Sequence, residues 1–383
     1  MSNRLEQVGV VALVAAAGAI QLSIAAGQIL IAVAALCWVA LLVTQRERVS
    51  VPRMFWPLAA YAALTLVSAA FSPQPRVSLV DCKQLVLFAL VPITYRLLTG
   101  PRAQTLVTVI LSFGAVSAAY GIVVQYAILH YDNLGRRPQG TLGHYMTYSG
   151  LLMLVIGTAL ARVLFGTRER TWALLVLPAL VVAVSLTLSR NAWVGVCAAA
   201  ALLFVLKDFR LLAVLPVVAA VFFLLAPATV TARFTSIFNL KDPTNRDRLA
   251  MMREGQHMIR AHPLVGVGPN MVQPLYQEYR DPDAVEAVNP HLHNVPIQIA
   301  AERGLPALAA WLAFIALLFV DLARNFYAGE QRFLAAAALA AVVSMLAAGM
   351  FEYNFGDSEF LILFLVLVTL PFAVTRSEAV ATA

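Results

Sequence analysis

Charge is scarce in this sequence. Asp, Glu, Lys and Arg make up 12% of its 383 residues, against about 25% in an ordinary soluble domain. Hydrophobic residues make up 61%, and the mean hydropathy is +0.80. These values exclude a soluble globular domain, a disordered chain, a coiled coil and a solenoid. The apolar runs do not alternate with polar residues as barrel strands would. The sequence therefore predicts an all-α polytopic membrane protein, because lipid cannot satisfy unpaired backbone groups.

Cysteine and lysine are also rare. The three cysteines, Cys37, Cys82 and Cys197, show no pairing or metal-ligand spacing and lie in or beside apolar runs. This pattern predicts core packing and no disulfide framework. Only three of the 27 basic residues are lysines. A formal charge of +7 would suggest nucleic acid in a soluble protein. In a membrane protein, arginines that face lipid headgroups explain this positive charge. We therefore expect membrane lipids, and no nucleic acid, as partners.

Twelve apolar runs are long enough to be transmembrane helices. They cover residues 8–25, 28–43, 57–70, 84–98, 103–129, 146–165, 172–188, 192–206, 211–226, 305–320, 333–350 and 360–374. With the N-terminus inside, the short loops and termini carry 14 basic residues on the cytoplasmic side and 5 outside. Since cytoplasmic loops are enriched in Lys and Arg, we expect both termini in the cytoplasm. In a Gram-negative bacterium the membrane would then be the inner membrane and the outer side the periplasm.

One connection is far longer than the others. Residues 227–303 separate helices 1–9 (residues 1–226) from helices 10–12 (residues 304–383), and we expect this segment to be periplasmic. It contains the other 8 basic residues and four of the six histidines. Loops of this length in compact proteins are usually functional or disordered. Its Met, Leu, Ile and Tyr content argues against disorder and predicts a helical segment that carries the active site.

A helix is predicted within this segment from Arg246 to Ala261, after the turn Asp242-Pro243. Its apolar face would contain Leu249, Met252 and Ile259. A basic face would contain Arg246, Arg253, Arg260 and His257. A basic stripe of this kind can lie on anionic headgroups or form a wall that binds phosphate.

Two shorter patterns follow the predicted helix. The glycines of Pro263-Leu264-Val265-Gly266-Val267-Gly268-Pro269 can present backbone N–H groups to an anion. The pair Asp281 and Asp283 has the Asp-x-Asp form of metal-dependent glycosyltransferases, although so short a pattern often arises by chance. No three convergent His, Asp or Glu ligands can be assembled by spacing, so we expect no metal and no cofactor.

Two histidines precede another helix. Pro296 suits a first helical turn and Gly304 a helix end, which places His293 just before a helix N-terminus. The helix dipole there disfavours imidazolium, and a neutral imidazole can accept a proton. If the segment is extended, His291 points elsewhere. Either histidine could instead only form local hydrogen bonds.

Arg190 separates two apolar runs on the outer side and is followed closely by Trp193. It can be an interfacial anchor, since tryptophan marks the aromatic belt. The turn is tight, however, and a cation at this depth needs an anionic partner. The neighbouring sequence offers none, so a ligand phosphate would fit.

Four places together resemble the O-antigen ligase and polymerase superfamily of membrane glycosyltransferases. They are Ser189-Arg190-Asn191, Arg248-Leu249-Ala250-Met251, the run from His262 to Gly268, and His293-Asn294 followed by Glu302-Arg303-Gly304-Leu305. The second departs from the family pattern, which has Trp where this chain has Met251. The last two are specific in combination. Within the superfamily the chain most resembles the O-antigen ligases.

The resemblance implies a GT-C-like fold and a metal-independent, inverting transfer at the periplasmic face. The donor would be O-antigen on undecaprenyl diphosphate, and the acceptor a hydroxyl of the lipid A core. His293 would be the base, and Arg190 and Arg248 would hold the diphosphate. Secondary candidates in the outer loops are Arg246, Arg253, Arg260, His257, Arg136, Arg137 and Asn294.

Three alternatives stay open. An O-antigen polymerase would extend another polyprenyl-linked chain, and a protein O-oligosaccharyltransferase would glycosylate Ser or Thr. A flippase or transporter would need charged residues at mid-membrane depth. The predicted spans have almost no charge at their centres, which favours chemistry at the surface over translocation.

Overall fold

The computed structural model describes residues 2–239, 241–329 and 332–381, and within them the chain folds into helices without a β-strand. An isolated bridge pairs Asn133 with Arg136. The all-α prediction is therefore confirmed.

Residues 227–303 are called the outer segment here, after their expected location. Ten described helices precede this segment. They are α1 (Ser2–Ala19), α2 (Ile24–Gln45), α3 (Phe55–Ala70), α4 (Pro75–Asp81), α5 (Leu90–Leu97), α6 (Pro101–Ala119), α7 (Tyr145–Phe165), α8 (Arg170–Leu186), α9 (Arg190–Lys207) and α10 (Val214–Leu225). A 3-10 segment joins α4 to α5, and another leads into α10. A π-helical segment, Tyr120–Ile128, extends α6.

The outer segment contains α11 (Ala228–Thr235), α12 (Pro243–Ala261) and the single turn α13 (Tyr276–Tyr279). Three helices complete the chain: α14 (Val295–Ala328), α15 (Arg332–Gly349) and α16 (Ser358–Ala381). The predicted outer helix is thus present as α12. It begins three residues before Arg246, because Asp242 caps it by accepting the Thr244 N–H at 3.0 Å.

Helical segments cover most of each predicted membrane span among the described residues. Eight helical segments are long and apolar enough to cross a bilayer, and three more apolar helices, Phe55–Ala70, Arg170–Leu186 and Phe209–Leu225, are shorter. Residues 8–25 do not form one helix, because α1 ends at Ala19 and Ser23 caps α2 by accepting the Ala26 N–H. The protein is a multi-pass membrane protein, and the count of twelve stays a prediction.

The centre of the bundle is formed by α7, α15 and α16, whose apolar windows are the most buried of the candidate spans. Helix α15 packs against α7, α9, α14 and α16. Its alanine-rich sequence allows these helices to approach closely, as small residues do in membrane bundles. Cys37 and Cys82 are buried as predicted, whereas Cys197 on α9 is exposed.

Several helix ends meet at one end of this bundle. The first residues of α7, α9 and α16 and the last of α15 line one cavity there. Helix α12 packs beside them against α14. Functional side chains separated by many residues in sequence can therefore converge at this end.

We expect this end of the bundle to face the periplasm, because of the 14-to-5 bias of basic residues in the short loops. A topology reporter fused near Gln273 should read periplasmic. One fused near Gln331, which lies outside the described residues, should read cytoplasmic. The opposite result at either position would overturn the orientation.

Candidate active site

A break in α14 anchors the outer segment. Gly304 has φ +81° and ψ 168° inside this helix, so nearby backbone groups lose their helical partners. The Val267 and Gly268 N–H groups donate to the carbonyls of Ala301 and Glu302 at 2.9 and 2.8 Å, and the Leu305 N–H donates to the Pro263 carbonyl at 2.8 Å. The loop from Pro263 to Gly268 therefore replaces the hydrogen bonds that the helix loses.

Only glycine fits at this junction. Gly266 has φ +69°, and a Cβ on it would lie 2.2 Å from the Glu302 carbonyl carbon. A Cβ on Gly304 would lie 2.2 Å from the Leu264 carbonyl oxygen. The glycine spacing in the sequence is compatible with an anion-binding turn. In the structure, however, the N–H groups of Val267 and Gly268 donate to carbonyls of α14. The structure gives the loop a positioning role instead.

Carboxylates on the buried face of α12 hold the following loop. Asp247 accepts the N–H groups of Val285 and Glu286 at 2.9 and 3.1 Å and the Asn289 side chain at 3.1 Å. Glu254 accepts the Asp281 N–H at 3.0 Å. The prediction for this helix had its apolar face wrong, because the buried face carries these two acids together with Ala250, Met251, Gly255 and Met258.

The Asp-x-Asp pair is engaged by an arginine. Arg253 contacts the carboxylates of Asp281 and Asp283, each at 3.0 Å. Asp281 also accepts the Asp283 N–H at 2.9 Å. These contacts close the loop onto α12 and leave Arg253 facing away from the cavity described next.

The predicted basic stripe lies on the exposed face of α12. Its members Arg246, Arg253, Arg260 and His257 are all exposed. None of them is among the described residues that line the cavity shared by Arg190, Arg248 and His293, which is described next.

That cavity brings together the three principal candidates. It has a volume of about 220 Å³, and Arg190, Arg248 and His293 all line it. Arg190 begins α9, Arg248 lies in the second turn of α12, and His293 precedes α14. Its apolar wall includes Met252 and Met350. We call it the arginine cavity.

Arg190 is 5% exposed and only partly neutralised. Its Nη1 donates to the Ser236 hydroxyl at 3.1 Å and to the Ser236 carbonyl at 3.3 Å. Its Nη2 lies 3.7 Å from the Asp242 carboxylate and has no hydrogen-bond partner. The neighbouring sequence showed no acid, because Asp242 reaches Arg190 only through the fold.

A further arginine, Arg233 on α11, was not singled out in the sequence. Burial lowers the pKa of Arg248, and the like charge of Arg233 lowers it further while Glu352 opposes the shift. The pKa of Arg137 is likewise lowered by burial and by Arg233. The Nε atoms of Arg137 and Arg233 are buried without a hydrogen-bond partner. The arginines around this cavity thus outnumber the acids that act on them, Asp242 and Glu352.

The two arginines of the 131–139 loop have separate places. Arg137 stacks on Tyr145, with its guanidinium carbon 3.4 Å from the ring centroid. Arg136 lies over Tyr131 at 5.4 Å and is exposed. Of the pair, Arg137 is the one electrostatically coupled to the arginine cluster.

His293 forms a pair with Glu352, an acid that the sequence did not reveal. The Nδ1 of His293 lies 2.9 Å from Glu352 Oε2, and a proton on Nδ1 would donate to that carboxylate. Burial would raise the pKa of Glu352, but the two neighbouring histidines bring it down to about 2. The carboxylate therefore stays ionised beside the imidazole of His293.

The expectation that His291 points elsewhere is wrong. The His291 and His293 rings are 4.1 Å apart, and the Nε2 of His291 lies 3.6 Å from Glu352. His293 itself has φ +48°, but residues two apart in an extended segment face the same side, so extension of the segment was no reason to expect the two histidines to diverge. Burial lowers the pKa of His291 to about 4, so His291 is neutral near pH 7.

These three side chains also overturn the prediction that three convergent ligands cannot be assembled. One ligand atom from each of His291, His293 and Glu352 lies within 4.8 Å of the others, a spacing that could hold a metal ion.

Asn294 lies beside them but caps α14, since its side chain accepts the Ile297 N–H at 3.0 Å and donates to the Met350 carbonyl at 3.1 Å.

Comparison with known proteins agrees with this geometry. Residues 174–312 match the model of the O-antigen ligase family. The matched region contains Arg190, Arg248 and His293, whereas Glu352 lies beyond it. A search of the curated proteins gives no significant match. Residues 174–312 are therefore similar to the O-antigen ligase family, and they lie within a multi-pass membrane protein.

Proposed function

We propose that the protein is an O-antigen ligase. It transfers polysaccharide from undecaprenyl diphosphate to a hydroxyl of the lipid A core at the periplasmic face of the inner membrane. The observation that carries this proposal is the arginine cavity, where the guanidinium groups of Arg190 and Arg248 and the imidazole of His293 line one space. The match of residues 174–312 to the O-antigen ligase family supports lipid-linked glycans as substrates.

The diphosphate would bind to Arg190 and Arg248. A leaving diphosphate needs fixed positive charge and no proton, because its negative charge grows as the bond to the sugar breaks. A guanidinium group can donate two parallel hydrogen bonds to one phosphate group, and it keeps its charge when it is buried. The unpartnered Nη2 of Arg190 is a donor available for such a contact, and Arg233 and Arg137 add to the positive field.

His293 would act as the base. The acceptor O–H attacks the anomeric carbon, its proton passes to the Nε2 of His293, and the bond from that carbon to the diphosphate oxygen breaks with inversion. Glu352 would serve as a positioning residue. A proton held on Nδ1 by the carboxylate leaves the Nε2 lone pair free, and the same carboxylate stabilises the imidazolium that forms.

The proposed reaction is metal-independent. The arginines supply the charge that a divalent cation would otherwise give to the diphosphate. The hydrogen-bonding distance between His293 and Glu352 supports an orienting pair, although the same atoms could hold a metal.

The arginine roles can be tested by substitution. Arg190→Ala or Arg248→Ala should lower the rate of glycan transfer about 10²-fold, as loss of one transition-state donor does. Lysine should rescue poorly, since a point charge does not reproduce the two-pronged guanidinium contact. The measurement is transfer by purified enzyme, normalised to the amount of folded protein.

Arg260→Ala is the matched control, because Arg260 is exposed on the same helix as Arg248, and it should leave the rate unchanged. Near-full activity of the Lys variants at both positions would contradict bidentate phosphate binding.

The histidine pair gives a second test. His293→Ala should lower the rate about 10²–10⁴-fold, the usual contribution of a general base, while binding of polyprenyl diphosphate is retained. His291→Ala should be much milder, and Glu352→Gln should lower kcat without changing the donor KM.

His257→Ala, at an exposed position of α12, is the control and should behave as wild type. Near wild-type transfer by His293→Ala would contradict the role of His293 as the general base. Loss of activity with a chelator, restored by Mg²⁺ or Mn²⁺, would assign His291, His293 and Glu352 to a metal.

A further inference from the structure

A second cavity lies on the other side of the histidine pair. Its volume is about 210 Å³, and it is lined by the first residues of α7, α9 and α16 and by the segment between α15 and α16. Asn191 lines both cavities. His293 faces the arginine cavity, whereas His291 and Glu352 line the second one. The His291, His293 and Glu352 cluster therefore separates two adjoining spaces.

The two spaces carry opposite charge. Among the described residues that line them, the arginine cavity has two guanidinium groups and no carboxylate. The second has the carboxylates of Glu352 and Asp357 and neither Lys nor Arg. A diphosphate would be repelled from the second cavity. A ligand rich in hydroxyl groups would suit it, because ionised carboxylates accept hydrogen bonds and offer several lone pairs.

Asp357 is held in place for such a role. Its Oδ1 accepts the N–H groups of Glu359 and Phe360 at 3.1 and 3.0 Å, which caps the start of α16. Its Oδ2 accepts the hydroxyl of Thr147 on α7. The carboxylate therefore does not need to reorganise when a ligand binds.

The same cavity contains buried polar atoms without partners. The Nδ1 of His291 and the Oδ1 of Asn354 have no hydrogen bond, and both residues line this cavity. Buried polar groups in native proteins are normally satisfied. One imidazole nitrogen and one amide oxygen are thus available to a ligand that donates and accepts hydrogen bonds, as sugar hydroxyls do.

The arrangement also fits the geometry of an inverting transfer. The nucleophile must approach the anomeric carbon from the face opposite the leaving group. In the proposed reaction, a donor whose diphosphate lies in the arginine cavity would present that opposite face toward the histidine cluster. An acceptor bound beyond the cluster would bring its hydroxyl to the base from the required side.

We propose that the second cavity, lined by Thr147, Asn354 and Asp357, binds the acceptor sugar. This inference rests on the proposed ligase function and adds the place where the acceptor binds. The acceptor unit held there is hydroxyl-rich and carries no phosphate on the groups that contact Asp357.

The test separates the two substrates kinetically. Asp357→Asn removes the charge and keeps a residue that caps helices well. It should raise the acceptor KM about tenfold, since hydrogen bonds to charged groups are stronger than neutral ones. The donor KM should not change. Thr147→Val should act in the same direction and covers the case in which Asp357→Asn fails to fold.

Asp283→Asn is the matched control, because Asp283 is an exposed carboxylate paired with Arg253 and lies outside both cavities. It should alter neither KM. An unchanged acceptor KM in Asp357→Asn and Thr147→Val, or a rise in the donor KM instead, would overturn the acceptor site. Absence of any transfer to lipid A core by the wild-type enzyme would overturn the proposed function itself, and the two failures are therefore distinguishable.

Discussion

Buried positive charge is the constraint around which the outer end of the bundle is built. Arg190 and Arg248 line one cavity, Arg137 and Arg233 add to the same field, and the acids near them are Asp242 and Glu352. Charge taken out of water is costly unless it is paired. An anionic ligand would supply the missing partner. The diphosphate of the proposed lipid-linked donor has the required charge.

The break in α14 helps to place His293, the proposed base, beside these arginines. The helix stops at Gly304 and resumes, and the loop from Pro263 to Gly268 takes over its lost hydrogen bonds. This junction ties the outer segment to the first turns of α14, where His293 precedes the cap residue Asn294. The glycine motifs thus have a positioning role, because their backbone N–H groups are bonded within the protein.

Sequence reasoning located much of this site. The arginine that begins α9, the arginine in the second turn of α12 and the histidine before α14 all line one cavity. The predicted spans coincide with helices, because apolar length and lack of charge are local properties. The basic stripe on α12 was a poor guide. Its seven-residue spacing shows that Arg246, Arg253 and Arg260 share a face, but not that this face is exposed.

The features that sequence missed depend on contacts between distant segments. Glu352 is 59 residues from His293, and it follows a transmembrane helix in a short loop that carries no motif. Arg233 lies on a short helix with no periodic pattern. Asp242 was interpreted as a helix start, which it is, but its carboxylate also faces Arg190. Pairwise distances of this kind follow from the packing of helices and not from spacing along the chain.

The most direct test of the ligase assignment is the lipopolysaccharide of a deletion strain, separated by gel electrophoresis. The account predicts that lipid A core is made but not capped with long polysaccharide, while polymer linked to undecaprenyl diphosphate accumulates. Reintroducing the gene should restore the capped ladder. Core capped with a single repeat unit would point to a polymerase, and an unchanged ladder would contradict the assignment.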